Sequence, residues 1–137
     1  QIRNEIWNVW LNHRNSFIGN LTRQAMAYFS SGELSEAEKA FSSLIAMDPS
    51  FVEGWNKRAT VRYMQGDFEG SLDDISEVLV RQPRHFGAIS GKGMILFQQE
   101  NYEDAIKVYS DLLEVDPHND FGMIMYKKLT KILGDFV

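Results

Sequence analysis

Cysteine is absent from the 137-residue chain. This absence excludes disulfide bonds, thiol catalysis and cysteine zinc sites. It also removes the usual indicator of an oxidising compartment, so the cytoplasm and the periplasm both stay open. The chain starts at Gln1 rather than at methionine, and we expect a fragment of a longer protein. The alternative is a mature chain whose export signal was removed.

An excess of basic residues is also lacking, because 14 lysines and arginines stand against 19 aspartates and glutamates, for a net charge of −5. Nucleic-acid binders usually carry a basic surface, and anionic membranes attract basic segments. Long apolar runs are missing as well: stretches such as Gly93–Phe97 fall far short of the ~20 residues that span a membrane. We therefore predict a folded domain that neither enters membranes nor binds nucleic acid.

Patterns that indicate catalysis or metal binding are missing too. His13, His85 and His118 fall in predicted linkers, and none has a second ligand at metal-binding spacing. No serine or threonine lies in a nucleophile elbow. The adjacent acids at 73–74 and 103–104 stand near predicted helix starts, where negative charge favours the helix dipole. We predict no enzymatic activity, no metal site and no cofactor.

Proline is rare, and its three copies are evenly placed at intervals of 34 residues, at Pro49, Pro83 and Pro117. Gly32 and Gly66 keep the same interval, and Glu100 occupies the third position. Glycine suits the positive φ at the end of a helix, and the residue before a proline disfavours helical geometry. A period punctuated in this way indicates a repeated helix-turn-helix unit.

Three such units are predicted, at residues 18–51, 52–85 and 86–119. Small residues recur at equivalent places in both helices of each unit: Ala25, Ala59 and Gly93 in the first helices, and Ala37, Ser71 and Ala105 in the second helices. Two helices cross closely only where no large side chain intervenes. One pair cannot bury its own apolar face, so the pairs must stack and must be capped.

Amphipathic helices are predicted at both ends of this array. Residues 2–13 form an N-terminal helix, and Trp7 and Trp10 on it either pack against the first unit or form an exposed patch for a partner. Residues 13–16 are predicted to be a linker. Residues 120–135 form a capping helix over the third unit.

Two further predictions concern single helices. Ser35 is predicted to begin the second helix of the first unit as its N-cap, with Glu38 completing a capping box. Arg58 and Arg62 lie one turn apart on a helix that is otherwise buried. We expect their charges to be neutralised by nearby acids, Asp74 or Glu53; the alternative is an anchor for a ligand.

The 34-residue unit resembles the tetratricopeptide repeat (TPR) in its length and in the residue types at fixed positions. In the second unit these residues are Trp55, Ala59, Gly66, Phe68, Ser71, Ile75 and Pro83. The resemblance covers residues 18–119, and the last helix continues it. It implies an all-α fold, a right-handed α-α superhelix of three repeats flanked by an N-terminal helix and a C-terminal capping helix. Among TPR proteins, the chain is most similar to bacterial members of poorly defined role.

The resemblance also implies a function, which is protein–protein interaction as an adaptor or scaffold. The first helices would line a concave groove for a peptide or partner segment. Polar side chains there can bond an extended backbone, and methionines and aromatic rings offer apolar contact. The alternative is that Phe29, Tyr63 and Phe97 are core between adjacent repeats. The candidate groove residues are Thr22, Met26, Phe29, Asn56, Lys57, Thr60, Tyr63, Ser90, Met94, Phe97 and Lys128.

One TPR subfamily binds the acidic C-termini of heat-shock chaperones through a clamp of lysines, an arginine and asparagines. Only one of the corresponding positions is basic here, and none holds asparagine; the residues are Thr22, Met26, Lys57, Gly87 and Gly91. We therefore predict that the chain is not a cochaperone of that type. Basic residues favour the first helices and acids the second helices, so a ligand with some negative character is favoured if charge contributes at all.

Two alternatives stay open at this point. The glycines at 87, 91 and 93 either pack tightly against the second repeat, which we favour, or leave a wide place in the groove. The second functional hypothesis is a self-associating structural module. It would use Trp7, Trp10 or the face of residues 123–133.

Overall fold

The computed structural model describes the backbone of residues 2–134 and the side chains of residue 9 and residues 14–134. Every element in residues 2–134 is helical. The seven helices are α1 (Ile2–Ser30), α2 (Leu34–Met47), α3 (Val52–Met64), α4 (Phe68–Arg81), α5 (Phe86–Gln98), α6 (Tyr102–Val115) and α7 (Asp120–Gly134). None of these helices has the length and apolar content required to cross a membrane.

The helices form antiparallel pairs, α1 with α2, α3 with α4 and α5 with α6, and α7 packs on α6. Each helix makes its substantial contacts with the helix before it and the helix after it. The predicted small residues lie where paired helices cross, and Ala25, Ala37 and Ala105 are completely buried. The absence of a large side chain at these places permits the close approach. The result is a linear stack and not a closed bundle.

The turns inside the pairs depend on one backbone conformation that recurs three times. Gly32 has φ +80°, Gly66 has φ +82° and Glu100 has φ +61°. Glycine adopts this region without steric penalty, whereas Glu100 is a side-chain-bearing residue held there by the same turn. The backbone N–H groups that follow close each turn, as when Asp67 N donates to the Arg62 carbonyl oxygen at 2.8 Å. The turns predicted at these three positions of the 34-residue period are therefore confirmed.

The predicted linker at residues 13–16 is wrong, because α1 continues through it from Ile2 to Ser30. The run His13–Ser16 is polar, but it contains neither proline nor glycine, so nothing in it interrupts a helix. Arg14 is instead used within the helix, where its guanidinium donates to the Met47 carbonyl oxygen at the end of α2 at 2.6 Å. The predicted burial of Trp7 and Trp10 concerns side chains outside the described residues.

The predicted capping box at Ser35 is also wrong. Glu33 is the N-cap of α2 and makes no side-chain capping bond, and Ser35 already lies inside the helix. The turn after Gly32 positions the chain so that helical geometry begins at Leu34. Glu38 accepts a hydrogen bond from Arg62 Nε at 2.9 Å. It therefore links α2 to α3 and does not cap its own helix.

The core is divided along the stack into three clusters. The first lies between α1 and α2 around Phe41 and Leu44, and Val61 of α3 joins it. The second lies around Ile75 and Val78. The third cluster is built from α5, α6 and α7, and its residues Tyr109, Leu112 and Leu129 are all at 0% exposure. Each cluster takes side chains from consecutive helices, as expected when no single pair can bury its own apolar face.

Candidate functional site

A cavity of 230 Å³, here called the first hollow, lies between α3, α4 and α5. Asn56, Thr60 and Tyr63 of α3 form one wall, because residues three or four apart share one face of a helix. Ser71 and Ile75 of α4 lie at its floor. The remaining lining comes from α3 and α5 and consists of Ala59, Gly87, Ala88, Gly91, Met94 and Ile95.

Two glycines of α5 line this hollow. A Cβ at Gly91 would lie 3.6 Å from Ile75 Cδ1, an ordinary contact, so no tight packing requires glycine there. Gly87 also lines the hollow at the start of α5, but a Cβ there would lie 3.3 Å from His85 Cε1, tighter than most real Cβ contacts. The alternative of a wide place in the groove therefore holds for Gly91, whereas Gly87 lies close to His85 of the second repeat, in line with the packing that we favoured.

Gly93 is the exception, and it faces the other side of α5. A Cβ on Gly93 would lie 2.6 Å from the ring of Tyr109, a distance that real Cβ atoms do not show. Burial raises the pKa of Tyr109 to about 12, and its hydroxyl donates to the Ser90 carbonyl oxygen at 3.3 Å. The tight contact at Gly93 is thus made with the third repeat, whereas we predicted contact with the second repeat.

A chain of hydrogen bonds borders the first hollow and holds Asn56. His85 Nδ1 accepts from Ala88 N at 3.0 Å, so His85 Nε2 carries the proton and donates to Glu53 Oε1 at 2.9 Å. Glu53 Oε2 accepts from Asn56 Nδ2 at 3.3 Å. Burial raises the pKa of Glu53, but the bonds from His85 and Asn56 outweigh it, so its pKa lies below the ordinary 4.5. The Asn56 amide oxygen is left to accept from a ligand.

A second hollow of 200 Å³ lies between α5 and α7. Phe97 and Lys128 meet there, with the ammonium of Lys128 5.0 Å from the ring centroid, close enough for a cation–π interaction. Met94 lines both hollows and is the wall between them. The rest of the second lining consists of Gln98, Phe121 and Met125.

Of the predicted groove residues, the structure brings six to the hollows: Asn56, Thr60, Tyr63, Met94, Phe97 and Lys128. The other five do not line either one. Thr22 is half-buried, and its hydroxyl donates to the Ile18 carbonyl oxygen at 2.7 Å. Met26 and Phe29 pack against the first core cluster. Lys57 and Ser90 are half-buried on α3 and α5.

Two of the three aromatic residues for which we left a core role open have both surroundings, whereas Phe29 lies only against the core. Tyr63 and Phe97 pack against core clusters with one side and line a hollow with the other. The Tyr63 hydroxyl also accepts a hydrogen bond from Gln98 Nε2, which joins α3 to α5. These rings therefore serve as walls that the core holds in place.

Sequence reasoning missed several lining residues. Ser71 and Ile75 were assigned to fixed positions of the repeat and Ile95 was given no role, and only the tertiary arrangement places all three in the lining of the first hollow. Phe121, in the first turn of α7 and 42% exposed, was missed as well, and its exposure is visible only in the structure.

The two arginines of α3 take part in a charged cluster on the other side of that helix. Asp74 accepts from Arg58 Nη2 at 2.7 Å and from Arg62 Nη1 at 3.1 Å. Glu38 bonds Arg62 as well, and Arg58 reaches the Ser42 hydroxyl at 3.2 Å. Burial lowers the pKa of Arg62, but Glu38 and Asp74 outweigh it, so its pKa lies above its ordinary value.

The predicted pairing of the arginines with Asp74 is therefore confirmed. Glu53, the other acid that we named, bonds His85 and Asn56 instead. Across the described side chains, no group of three or more histidines, aspartates and glutamates could hold a metal ion.

The sequence family described as tetratricopeptide repeat matches residues 22–84 and, in a second overlapping match, residues 56–120. A TPR repeat-containing protein of Rhizobium etli is 40% identical over 73 residues, which are 53% of this chain and 36% of that protein. The chain thus matches little more than a third of the length of this relative.

Solved structures agree in fold. A tetratricopeptide repeat protein from Parabacteroides merdae aligns with a TM-score of 0.79 at 24% identity, over 87% of this chain and 46% of that one. The first TPR of Spaghetti (RPAP3), solved with the HSP90 peptide SRMEEVD, aligns with a TM-score of 0.77 at 22% identity, over 85% of this chain and 95% of that one. The helices therefore wind as the right-handed α-α superhelix that the sequence predicts, and the chain belongs to the tetratricopeptide repeat family.

Proposed function

We propose that this chain is a non-catalytic adaptor that binds an extended segment of a partner protein along the groove formed by α3, α5 and α7. The observation that carries the proposal is the pair of neighbouring hollows on these helices, one of 230 Å³ and one of 200 Å³. Binding sites are usually concave and mostly apolar, with a few placed polar groups. Both hollows fit that description.

Asn56 supplies the polar contact in this proposal. Its amide nitrogen is held by Glu53, which in turn is held by His85. An amide fixed in this way presents its oxygen in one direction, and a backbone N–H of an extended peptide is a suitable donor. A preset orientation lowers the entropy that binding must remove.

The chemistry of the groove separates this chain from binders of acidic tails. Spaghetti (RPAP3) was solved with an acidic HSP90 peptide, and the corresponding subfamily clamps such a peptide with basic side chains. Here Gly87 and Gly91 occupy two of those positions and line an apolar hollow. A carboxylate placed in that hollow would lose its hydration without gaining a charged partner. We therefore propose an internal or apolar segment as the ligand.

Selection of peptides from a random displayed library on the immobilised chain tests the proposal. We expect peptides whose binding, measured by fluorescence polarisation, weakens roughly tenfold or more in Asn56→Ala/Tyr63→Ala, because one hydrogen bond and one apolar wall are lost. The matched control is Lys39→Ala/Ser43→Ala on the exposed side of α2. Thermal unfolding verifies that both variants are folded. Equal binding by all three proteins, or no selected peptide, refutes the groove as a peptide site.

Self-association is the second candidate, and an observation on α7 favours it. Met123 is 38% exposed and Ile124 is 62% exposed, so the last helix presents apolar surface. Sedimentation velocity over a wide concentration range separates the candidates. A concentration-dependent dimer that is lost in the variant Met123→Lys/Ile124→Lys would support self-association. A monomer at all concentrations would refute self-association.

A further inference from the structure

We infer that the partner segment carries two apolar side chains close together in its sequence, one for each hollow, with Met94 between them. This inference rests on the proposed function and adds the chemical class of the ligand. The segment is neutral or acidic at this point, because Lys128 is the one charged side chain among the described residues that line either hollow.

The first hollow is suited to an apolar side chain because the hydroxyl groups of its lining already have partners, and the proposed function assigns the Asn56 amide oxygen to the peptide backbone. The Ser71 hydroxyl donates to the Ala59 carbonyl oxygen at 2.7 Å, and the Thr60 hydroxyl donates to the Asn56 carbonyl oxygen at 3.2 Å. The Tyr63 hydroxyl accepts from Gln98. No charged residue appears in the described lining. A charged side chain would enter without a counter-charge, which costs free energy, whereas an apolar side chain gains from burial.

The size of the first hollow agrees with this chemistry. An apolar cavity of about 150 Å³ is large enough to take up benzene. The first hollow measures 230 Å³, so a leucine, methionine or phenylalanine side chain fits within it. The floor is firm, since Ala59, Ser71 and Ile75 are all buried to 96% or more. A firm floor favours one well-packed side chain over collapse of the hollow.

The second hollow has an adaptable apolar lining. Met94 and Met125 are flexible and polarisable side chains that adjust to irregular shapes, and Phe97 and Phe121 add aromatic surface. The ammonium group of Lys128 lies over the Phe97 ring in this hollow. An acidic residue beside the second apolar side chain would be close to that ammonium, and a basic residue would be repelled.

One short segment can occupy both hollows because Met94 lines each of them, which makes them neighbours. An extended chain advances about 3.3 Å per residue. A few residues therefore suffice to carry side chains into both hollows, and the backbone between them passes over Met94. The pattern expected in the ligand is two apolar residues within about five positions, since a longer spacing overshoots the second hollow.

Uptake of an apolar probe tests the hollows without a peptide. Benzene is titrated into the protein labelled with ¹³C at methionine methyl groups, and NMR chemical shifts are followed. We expect the Met94 methyl signal to move several-fold further than that of Met64, which is 53% exposed and lies outside both linings. We also expect Gly91→Leu to reduce the Met94 shift. Equal shifts at Met94 and Met64 would overturn the inference, although peptides could still bind elsewhere in the groove.

The selected peptides test the two-residue pattern. Replacing either apolar peptide residue with alanine should weaken binding roughly tenfold, because one buried side chain is lost. Gly91→Leu fills the first hollow and should produce a similar loss, while Gly134→Leu, where a Cβ meets open space, should not. Phe121→Ala removes a wall of the second hollow, and Phe17→Ala, an exposed phenylalanine of α1, is its control.

The outcomes separate this inference from the proposed function. Suppose that peptides lose affinity in Asn56→Ala/Tyr63→Ala but not in Gly91→Leu or Phe121→Ala. This result would support the groove as the peptide site and would overturn the inference that the two hollows bind apolar side chains. Peptides without a recurring pair of apolar residues would also overturn them. A recurring pair, with loss in Gly91→Leu and Phe121→Ala and none in the two controls, supports the inference.

Discussion

Asp74 carries a negative charge in the interior of the stack, and it is 1% exposed. It persists there because two guanidinium groups bond it, Arg58 through two nitrogens and Arg62 through one. A buried carboxylate without such partners would be protonated or excluded. The cluster also reaches Glu38 on α2, so one buried charge joins three consecutive helices.

Replacing Asp74 with asparagine should therefore be costly. The side chain keeps its shape, but Arg58 loses its counter-charge and Arg62 keeps only Glu38, and breaking a buried pair from one side costs about 3–5 kcal/mol. Urea denaturation of the variant measures the loss. Asp73→Asn is the matched control, since residue 73 is exposed on the same helix and surface changes usually stay within about 0.5 kcal/mol. Similar stabilities for the two variants would show that the cluster is not stabilising.

At the scale of single helices, the starts of α4 and α5 differ from the start of α2. Asp67 caps α4 by accepting from Gly70 N at 3.0 Å, and His85 caps α5 by accepting from Ala88 N. Glu33 makes no equivalent bond at α2. Because His85 also bonds Glu53 of α3, the start of α5 is coupled to the start of the preceding first helix.

This coupling predicts a dependence of stability on pH. The pKa of Glu53 is lowered on folding against the effect of burial, by His85, Asn56 and the charge of Lys57. A lowered pKa contributes stability above the unfolded value of 4.5, and the contribution disappears as the pH falls through the folded value. The difference in unfolding free energy between the parent protein and Glu53→Gln should thus be positive near neutral pH and should shrink below pH 4.5.

Denaturation at a series of pH values from 7 to 3 measures that difference. Asp111→Asn, on the exposed face of α6, is the control, and we expect no comparable narrowing for it. If the Glu53→Gln difference stayed constant across the range, the hydrogen bonds of Glu53 would not contribute to folding.

The sequence predicted those elements whose cause is local. The three turns require a positive φ at one residue each, and the period places Gly32, Gly66 and Glu100 there. The continuity of α1 was missed because the polar run at 13–16 resembles a linker, although an exposed helix tolerates polar residues equally well. The hollows could not be predicted, since glycines two residues apart have opposite roles. Gly91 lies at ordinary contact distance from Ile75 beside the first hollow, whereas Gly93 lies against the Tyr109 ring, and only the packing of α4 and α6 decides which is which.

At the scale of the whole molecule, α7 departs from the other first helices at one informative position. The interval of 34 residues that relates Ala25, Ala59 and Gly93 leads next to Lys127. The three small residues are buried at crossings with a second helix, whereas Lys127 is exposed. A lysine there would keep a second helix from approaching closely. We therefore infer that α7 serves as a cap for the third repeat.

A linear stack with divided clusters should lose stability locally. Leu129 is completely buried in the cluster of α5, α6 and α7, and Leu44 is buried to 99% in the cluster around α1 and α2. Either leucine-to-alanine change costs about 2–5 kcal/mol. Because each helix contacts mainly its neighbours in sequence, Leu129→Ala should lower amide protection chiefly in α5–α7, and Leu44→Ala chiefly in α1–α3.

Native-state hydrogen exchange resolved by helix measures both variants against the parent protein. The two changes are matched in residue type and burial, so they differ only in their place along the stack. Opposite gradients of lost protection indicate that the repeats open separately from either end. A uniform loss in both variants would instead mean that the chain unfolds as one unit, and the charged cluster around Asp74, which joins α2, α3 and α4, would be the contact that couples the repeats.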